Sequence, residues 1–227
     1  MILNSLLKRV KMKKILLFVL FGVASAISAN TIGLSEEQFG EIVSDCFENK
    51  NKLSCQSLID VGLPISVEKC TKENCNELGV LYALAENYYN AAKYYKRAGE
   101  LGDAIGYSNL GFLYENGQGV RQNLFEALKL YQKSCDMNFA AACYNAGILY
   151  ENGQGTRQNL THAKKLYEKA CKANFATACN NLGSLYGKGR GVKQNRSVAR
   201  KYYGKACDLG EQIVCDNYRE YNEFGVR

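Results

Sequence analysis

Apolar and small residues in this chain recur at helical spacing, and the pattern returns every 36 residues. Ala104, Ala140 and Ala176 open three successive units, 104–139, 140–175 and 176–211. The first segment of each carries a Leu/Ala-Gly and Leu-Tyr block: Leu110-Gly111 with Leu113-Tyr114, Ala146-Gly147 with Leu149-Tyr150, Leu182-Gly183 with Leu185-Tyr186. A loop with two glycines follows. The second segment places Leu124, Ala127, Tyr131 and Ser134, then Leu160, Ala163, Tyr167 and Ala170, at spacings of three, four and three. Those spacings form one apolar stripe on an α-helix. Asn123, Asn159 and Asn195 stand where an N-cap is wanted. No run alternates in the strand manner, so the expected fold is all-α, built of paired helices.

The pattern weakens toward both ends. Residues 70–103 read as a shorter unit, with Leu78-Gly79 and Leu81-Tyr82, then Ala91, Tyr95 and Ala98, but a loop four residues shorter and no glycine pair. Residues 30–69 read as a divergent capping hairpin punctuated by Pro64. Residues 212–227, with Tyr218 and Tyr221, read as a closing cap. A repeat array needs such caps because an end unit otherwise exposes its apolar face. Gly79, Gly111, Gly147 and Gly183 share one position inside the first helix. A mid-helix glycine costs about 1 kcal/mol relative to alanine, so its recurrence predicts a close approach by the partner helix.

Cysteines follow the same period. Cys135 and Cys143 recur as Cys171 and Cys179, then as Cys207 and Cys215. One period upstream both are missing together, replaced by Gly99 and Tyr107. Residues lost as a pair are what a covalent bond predicts, since half a disulfide is a stray thiol. Each bond would clamp the end of one hairpin to the start of the next, contributing about 2–3 kcal/mol in the chain-entropy model. The remaining Cys46, Cys55, Cys70 and Cys75 allow three pairings. Cys75 aligns with Cys143, which points to Cys70 as its partner and leaves Cys46 with Cys55. A four-thiolate metal site at these positions is the alternative. Zinc knuckles use Cys-x-x-Cys or histidine; the chain has no such motif and one His, His162. Neither metal nor cofactor is expected.

Ten cysteines in an even set agree with the amino terminus. Lys8, Arg9, Lys11, Lys13 and Lys14 precede an apolar run from Ile15 to Ala26 and small residues up to Ala29. The run is shorter than the about 20 residues a membrane helix needs, so residues 1–29 read as a signal peptide. A retained amino-terminal anchor is the alternative. The chain has 29 Lys and Arg against 22 Asp and Glu, for +7. Without the five cations of that segment the balance is 24 against 22, or +2. Most of the basicity therefore belongs to export, and nucleic-acid binding is not expected.

The stretch from Leu110 through Gly-Phe-Leu-Tyr-Glu-Asn-Gly-Gln-Gly-Val-Arg-Gln-Asn to Leu124, with Ala127 and Tyr131, resembles the Sel1-like repeat, a relative of the tetratricopeptide repeat. The cysteine pair in each unit is similar to that of the Helicobacter cysteine-rich proteins. The resemblance implies an α/α superhelix cross-linked by disulfides, a secreted or periplasmic location and a role in binding. It also implies weak penicillin binding or β-lactamase activity, as assigned to members of that family.

For binding, Asn109, Asn145 and Asn181 recur on the first helices, preceded by Ser108, Tyr144 and Asn180, with Phe112 and Ile148 nearby. A carboxamide offers a donor and an acceptor together, so the row could grip an extended peptide or a chain-end carboxylate. It could equally satisfy hydrogen bonds between repeats. The expected partner is a protein or peptide, or a cell-envelope component, and a monomer is expected. For catalysis, Ser66-Val-Glu-Lys69 matches the first serine β-lactamase element, but neither Ser-Asp-Asn nor Lys-Thr-Gly occurs. No catalytic residue is assigned.

Overall fold

A computed structural model describes residues 36–60, 66–72 and 74–210, together with Cys215 and Tyr218. The expected signal segment, Pro64, Tyr221 and most of the closing cap lie outside the described residues. Among the described residues all regular structure is helical, and no helix is long and apolar enough to cross a membrane. The chain divides into two compact units, residues 1–97 and 98–227.

The first unit contains α1 (Glu36–Phe47), α2 (Lys52–Asp60), α3 (Cys75–Leu84) and the start of α4 (Tyr88–Glu100). Asn51 opens α2, its side-chain oxygen accepting from the Leu53 backbone N–H at 3.0 Å. Cys46 and Cys55 are bonded, Cα atoms 4.8 Å apart, and pack fully buried with Leu58, Leu81 and Ala85. Cys70 and Cys75 are bonded across the turn into α3. Gly79 of α3 lies under the Tyr95 ring of α4; a Cβ there would sit 2.5 Å from the ring. The close approach expected of the recurring glycines is therefore made by a tyrosine ring.

The second unit holds α5 (Ala104–Asn116), α6 (Leu124–Asp136), α7 (Ala140–Asn152), α8 (Leu160–Lys172), α9 (Ala176–Lys188) and α10 (Arg196–Asp208). Each long loop ends one helix and starts the next with the same chemistry. Gly117, Gly153 and Gly189 take φ of 68°, 67° and 68° as C-caps, a left-handed conformation that costs a side chain-bearing residue energy. Asn123, Asn159 and Asn195 then accept from the third backbone N–H of α6, α8 and α10, at 3.1, 2.9 and 3.0 Å. The short turns between repeats also need a left-handed residue, supplied in order by Gly102, Asn138, Asn174 and Gly210.

The core of this unit is small-residue packing around two fully buried tyrosines, Tyr131 and Tyr167. Their rings lie on Gly111 and Gly147 of the partner helix, and a Cβ at Gly147 would meet the Tyr167 ring at 2.5 Å. Three disulfides bridge successive hairpins: Cys135–Cys143, Cys171–Cys179 and Cys207–Cys215, with Cα separations of 4.6, 4.8 and 4.7 Å. All ten cysteines are bonded, so no thiolate is left for a metal, and no cluster of metal-ligating side chains occurs among the described residues.

Lys169 and Lys205 reach back one repeat to donate to the carbonyls of Cys135 and Cys171, at 2.6 and 2.9 Å. An ammonium there offsets the negative end of the helix dipole and satisfies an orphan carbonyl. Where the cysteines are absent, the Tyr107 ring lies against Gly99, closer than any Cβ would allow. Lys133 stands 5.2 Å over that ring, a cation-π contact where the later lysines bond carbonyls. The unbonded joint is thus filled by aromatic packing.

Candidate binding face

Asn109, Asn145 and Asn181 occupy the same register of α5, α7 and α9, each half-buried. The amides of Asn145 and Asn181 hydrogen-bond the hydroxyls of Tyr131 and Tyr167 in the preceding repeat. Those hydroxyls in turn donate to Glu115 and Glu151, each at 2.6 Å. The result is a relay from asparagine through tyrosine to glutamate, made at Tyr131 and again at Tyr167. Arg190 of the following repeat pairs with Glu151 at 2.7 Å. Burial pushes both phenols well above their ordinary range, and the glutamate acceptors push further the same way. Each asparagine N–H, donated to the phenol oxygen, pulls the other way.

Asn145 and Asn181 therefore join repeats, and this use fixes their orientation. One amide N–H of Asn145 and one of Asn181 is spent in this way. Ser108 is 7% exposed and belongs to the interior. Tyr144 packs against Phe175 and Tyr167, ring centroids 5.1 and 5.8 Å away. Ile148 packs against the core, and Asn180 is half-buried. Phe112, by contrast, is 51% exposed, and Ile105 on the same helix is 41% exposed. Residues 105, 109 and 112 fall on one face of α5 by helical spacing.

A groove of about 790 Å³ lies elsewhere, at the loop entering α6, lined by Tyr114, Val120, Arg121, Leu124, Phe125 and Gly155. None of the sequence-selected contact residues lines it. A signal for it was available: Phe125, 62% exposed, stands where the next two repeats carry Thr161 and Ser197. Gly155 belongs to it because its backbone presses on the Leu124 carbonyl, where a Cβ would collide.

Ser66 and Lys69 share one exposed turn, in which the Lys69 backbone N–H donates to the Ser66 carbonyl at 2.8 Å. The Ser66 hydroxyl hydrogen-bonds the Glu68 carboxylate, which its own backbone N–H and then this serine hold below the usual carboxylate range. A carboxylate so stabilised is a weak base, a poor activator for a serine nucleophile.

The model of the Sel1 repeat family matches residues 75–103, 104–139, 140–175 and 176–211. The chain belongs to the Sel1 repeat family. Its architecture is accordingly an all-α Sel1 repeat solenoid, here clamped by disulfides. A Sel1 repeat protein from Oxalobacter formigenes is similar at 28% identity, with a TM-score of 0.62 over 67% of this chain and 61% of that one. The protective antigen c5321 of uropathogenic Escherichia coli, described as displaying an SLR fold, is similar at 22% identity and TM-score 0.71, over 92% of this chain and 44% of that one. Cysteine rich protein B of Helicobacter pylori is similar at 31% identity, over 65% of this chain and 96% of that one, with a TM-score of 0.45. The chain thus spans about three fifths of the Oxalobacter protein and less than half of the E. coli one. No curated protein matches the chain significantly. Sel1 repeats are in general protein-interaction modules, and five disulfides are the chemistry of an oxidising, extracytoplasmic compartment.

Proposed function

We propose that this chain is an exported scaffold, secreted or periplasmic and monomeric, that binds a protein or peptide through the face carrying Asn109, Asn145 and Asn181. The observation that carries the reading is the graded character of that face. Ile105 and Phe112 are exposed on α5, their equivalents on α7 are Ala141 and Ile148, and those on α9 are Thr177 and Ser184. A face that passes from apolar to polar across successive repeats suits a ligand with one apolar end. The asparagines between them offer paired donors and acceptors to an extended backbone. Exposing a phenylalanine contributes nothing to folding, whereas burying it against a ligand contributes about 1.5–3 kcal/mol.

The test is enrichment of a random peptide library on the oxidised protein, with titration calorimetry of the enriched peptides. Phe112→Ser is expected to weaken binding by about tenfold or more, from the lost apolar burial, with the thermal midpoint unchanged. Enriched peptides that bind Phe112→Ser as tightly as the parent would overturn the assignment of this face.

A further inference from the structure

The groove at the loop entering α6 carries apolar side chains that the loop itself does not need. Val120 and Phe125 line it, and one period later the same two positions are Thr156 and Thr161. The backbone is the same in both loops. Gly119 and Gly155 take φ of 65° and 68°, and Asn123 and Asn159 cap α6 and α8 alike. Gly155 presses on Leu124 as Gly191 presses on Leu160, each closer than a Cβ would allow. The loop therefore forms with threonine at both positions. Phe125 is mostly exposed, so its ring adds little to the core.

Arg121 is the one charged side chain among the residues lining the groove, and it is exposed. No acid lines it. Glu115 and Glu126, close by in sequence, meet the Tyr131 hydroxyl and Lys129 instead. The two amides of the lining serve the loop: Gln122 donates to the Glu115 carbonyl at 2.9 Å, and the Asn123 oxygen accepts from the Glu126 backbone N–H at 3.1 Å. A cation recurs at this register as Arg157 and Lys193, whereas the apolar pair does not recur, since the third loop has Val192 with Ser197. Only the first loop joins a positive charge to two apolar walls.

We propose that this groove docks a linear segment of a partner polypeptide in which a large apolar side chain stands beside an aspartate or glutamate. The apolar side chain rests between Val120, Leu124 and Phe125, and its acidic neighbour pairs with Arg121. Charge complementarity sets the acid, because the lining is positive and holds no carboxylate. A single cation is too little charge for nucleic acid or a phosphate-rich surface. The groove, about 790 Å³, is open rather than enclosed, so a chain can pass through it instead of ending in it. An exposed aromatic ring is the kind of anchor on which a protein interface concentrates its binding energy. The site shares no residue with the asparagine face and does not rest on it.

The probe is the blocked peptide acetyl-Gly-Ser-Trp-Asp-Gly-Ser-amide, titrated with the full-length, oxidised chain. The chain has no tryptophan, so indole emission reports the peptide alone. Saturable binding is expected, with Kd about 1 mM or tighter. Val120→Thr/Phe125→Thr, which installs the residues of the next loop, is expected to weaken it about tenfold or more while keeping the parental melting temperature. Arg121→Gln, or asparagine for the peptide's aspartate, is expected to weaken it about twofold to fivefold, and the two changes together no further. Phe112→Ser is expected to leave the affinity unchanged, which separates this site from the asparagine face. No saturable binding, an unaffected Val120→Thr/Phe125→Thr variant, or loss in Phe112→Ser overturns the proposal. Equal affinity for the asparagine peptide overturns the choice of an acidic segment, and tighter binding of acetyl-Gly-Ser-Trp with a free carboxylate overturns the choice of an internal one. A parental dimer that Val120→Thr/Phe125→Thr dissociates would place a second copy in the groove and overturn the choice of partner.

Discussion

Tyr131 and Tyr167 show how one side chain serves two joints at once. The ring fills the space over a partner-helix glycine, and the hydroxyl ties Glu115 or Glu151 to the asparagine of the next repeat. Half of this was legible in the sequence. A glycine recurring mid-helix is unfavourable locally, so it advertises close packing. The relay was not legible, because which hydroxyl an amide meets depends on the angle between neighbouring repeats. The phenols are raised above their ordinary value of 10, so the fold favours the neutral form. Their contribution to stability is complete below that pH and is lost as pH rises toward the folded value. The urea midpoint is therefore expected to hold between about pH 7 and 9 and to fall above about 10. Tyr167→Phe, which leaves Glu151 and Asn181 without that partner, is expected to cost about 1–2 kcal/mol at neutral pH and to flatten the alkaline fall. An alkaline limb as steep in Tyr167→Phe as in the parent would contradict the role given to this phenol.

At the level of helices, start signals were easier to read than stop signals. Asn123, Asn159 and Asn195 follow a glycine loop and precede an apolar stripe, so three cues agree on each N-cap. The left-handed residue that turns one repeat into the next was missed because it alternates between Gly102, Asn138, Asn174 and Gly210. Only asparagine and glycine tolerate that conformation readily, so those four residues, 36 apart, were a usable signal. The joint lacking cysteines illustrates the converse: absence of a bond was evident from Gly99 and Tyr107, but not that the ring would rest on the glycine. This makes a coupled prediction. Gly99→Cys alone drives a side chain into the Tyr107 ring and is expected to destabilise by about 1–3 kcal/mol. Adding Tyr107→Cys is expected to restore stability and close a sixth disulfide, seen as two further hydrogens lost in intact mass. Additive effects of the two substitutions would show that the two positions do not meet.

For the molecule as a whole, the 36-residue period carried most of the information. It identified the repeat class and three of the cysteine pairs, and the register of Cys75 with Cys143 pointed to the other two, Cys70–Cys75 and Cys46–Cys55, both of which the structure joins. Apolar contact residues were chosen by register alone, which separated neither exposed Phe112 from core-packed Ile148 nor the loop groove from the helix face. The central claim is that bonds between adjacent helices, and between adjacent hairpins, hold a small-residue core in an oxidising compartment. Each closed loop is short, yet clamps of about 2–3 kcal/mol are large against a typical total of about 5–15 kcal/mol. Non-reducing peptide mapping of the native protein, with thiol counting, tests this most directly. The account predicts no free thiol and five links, Cys46–Cys55, Cys70–Cys75, Cys135–Cys143, Cys171–Cys179 and Cys207–Cys215. Titratable sulfhydryls at Cys135, Cys143, Cys171 or Cys179 in folded protein would contradict it.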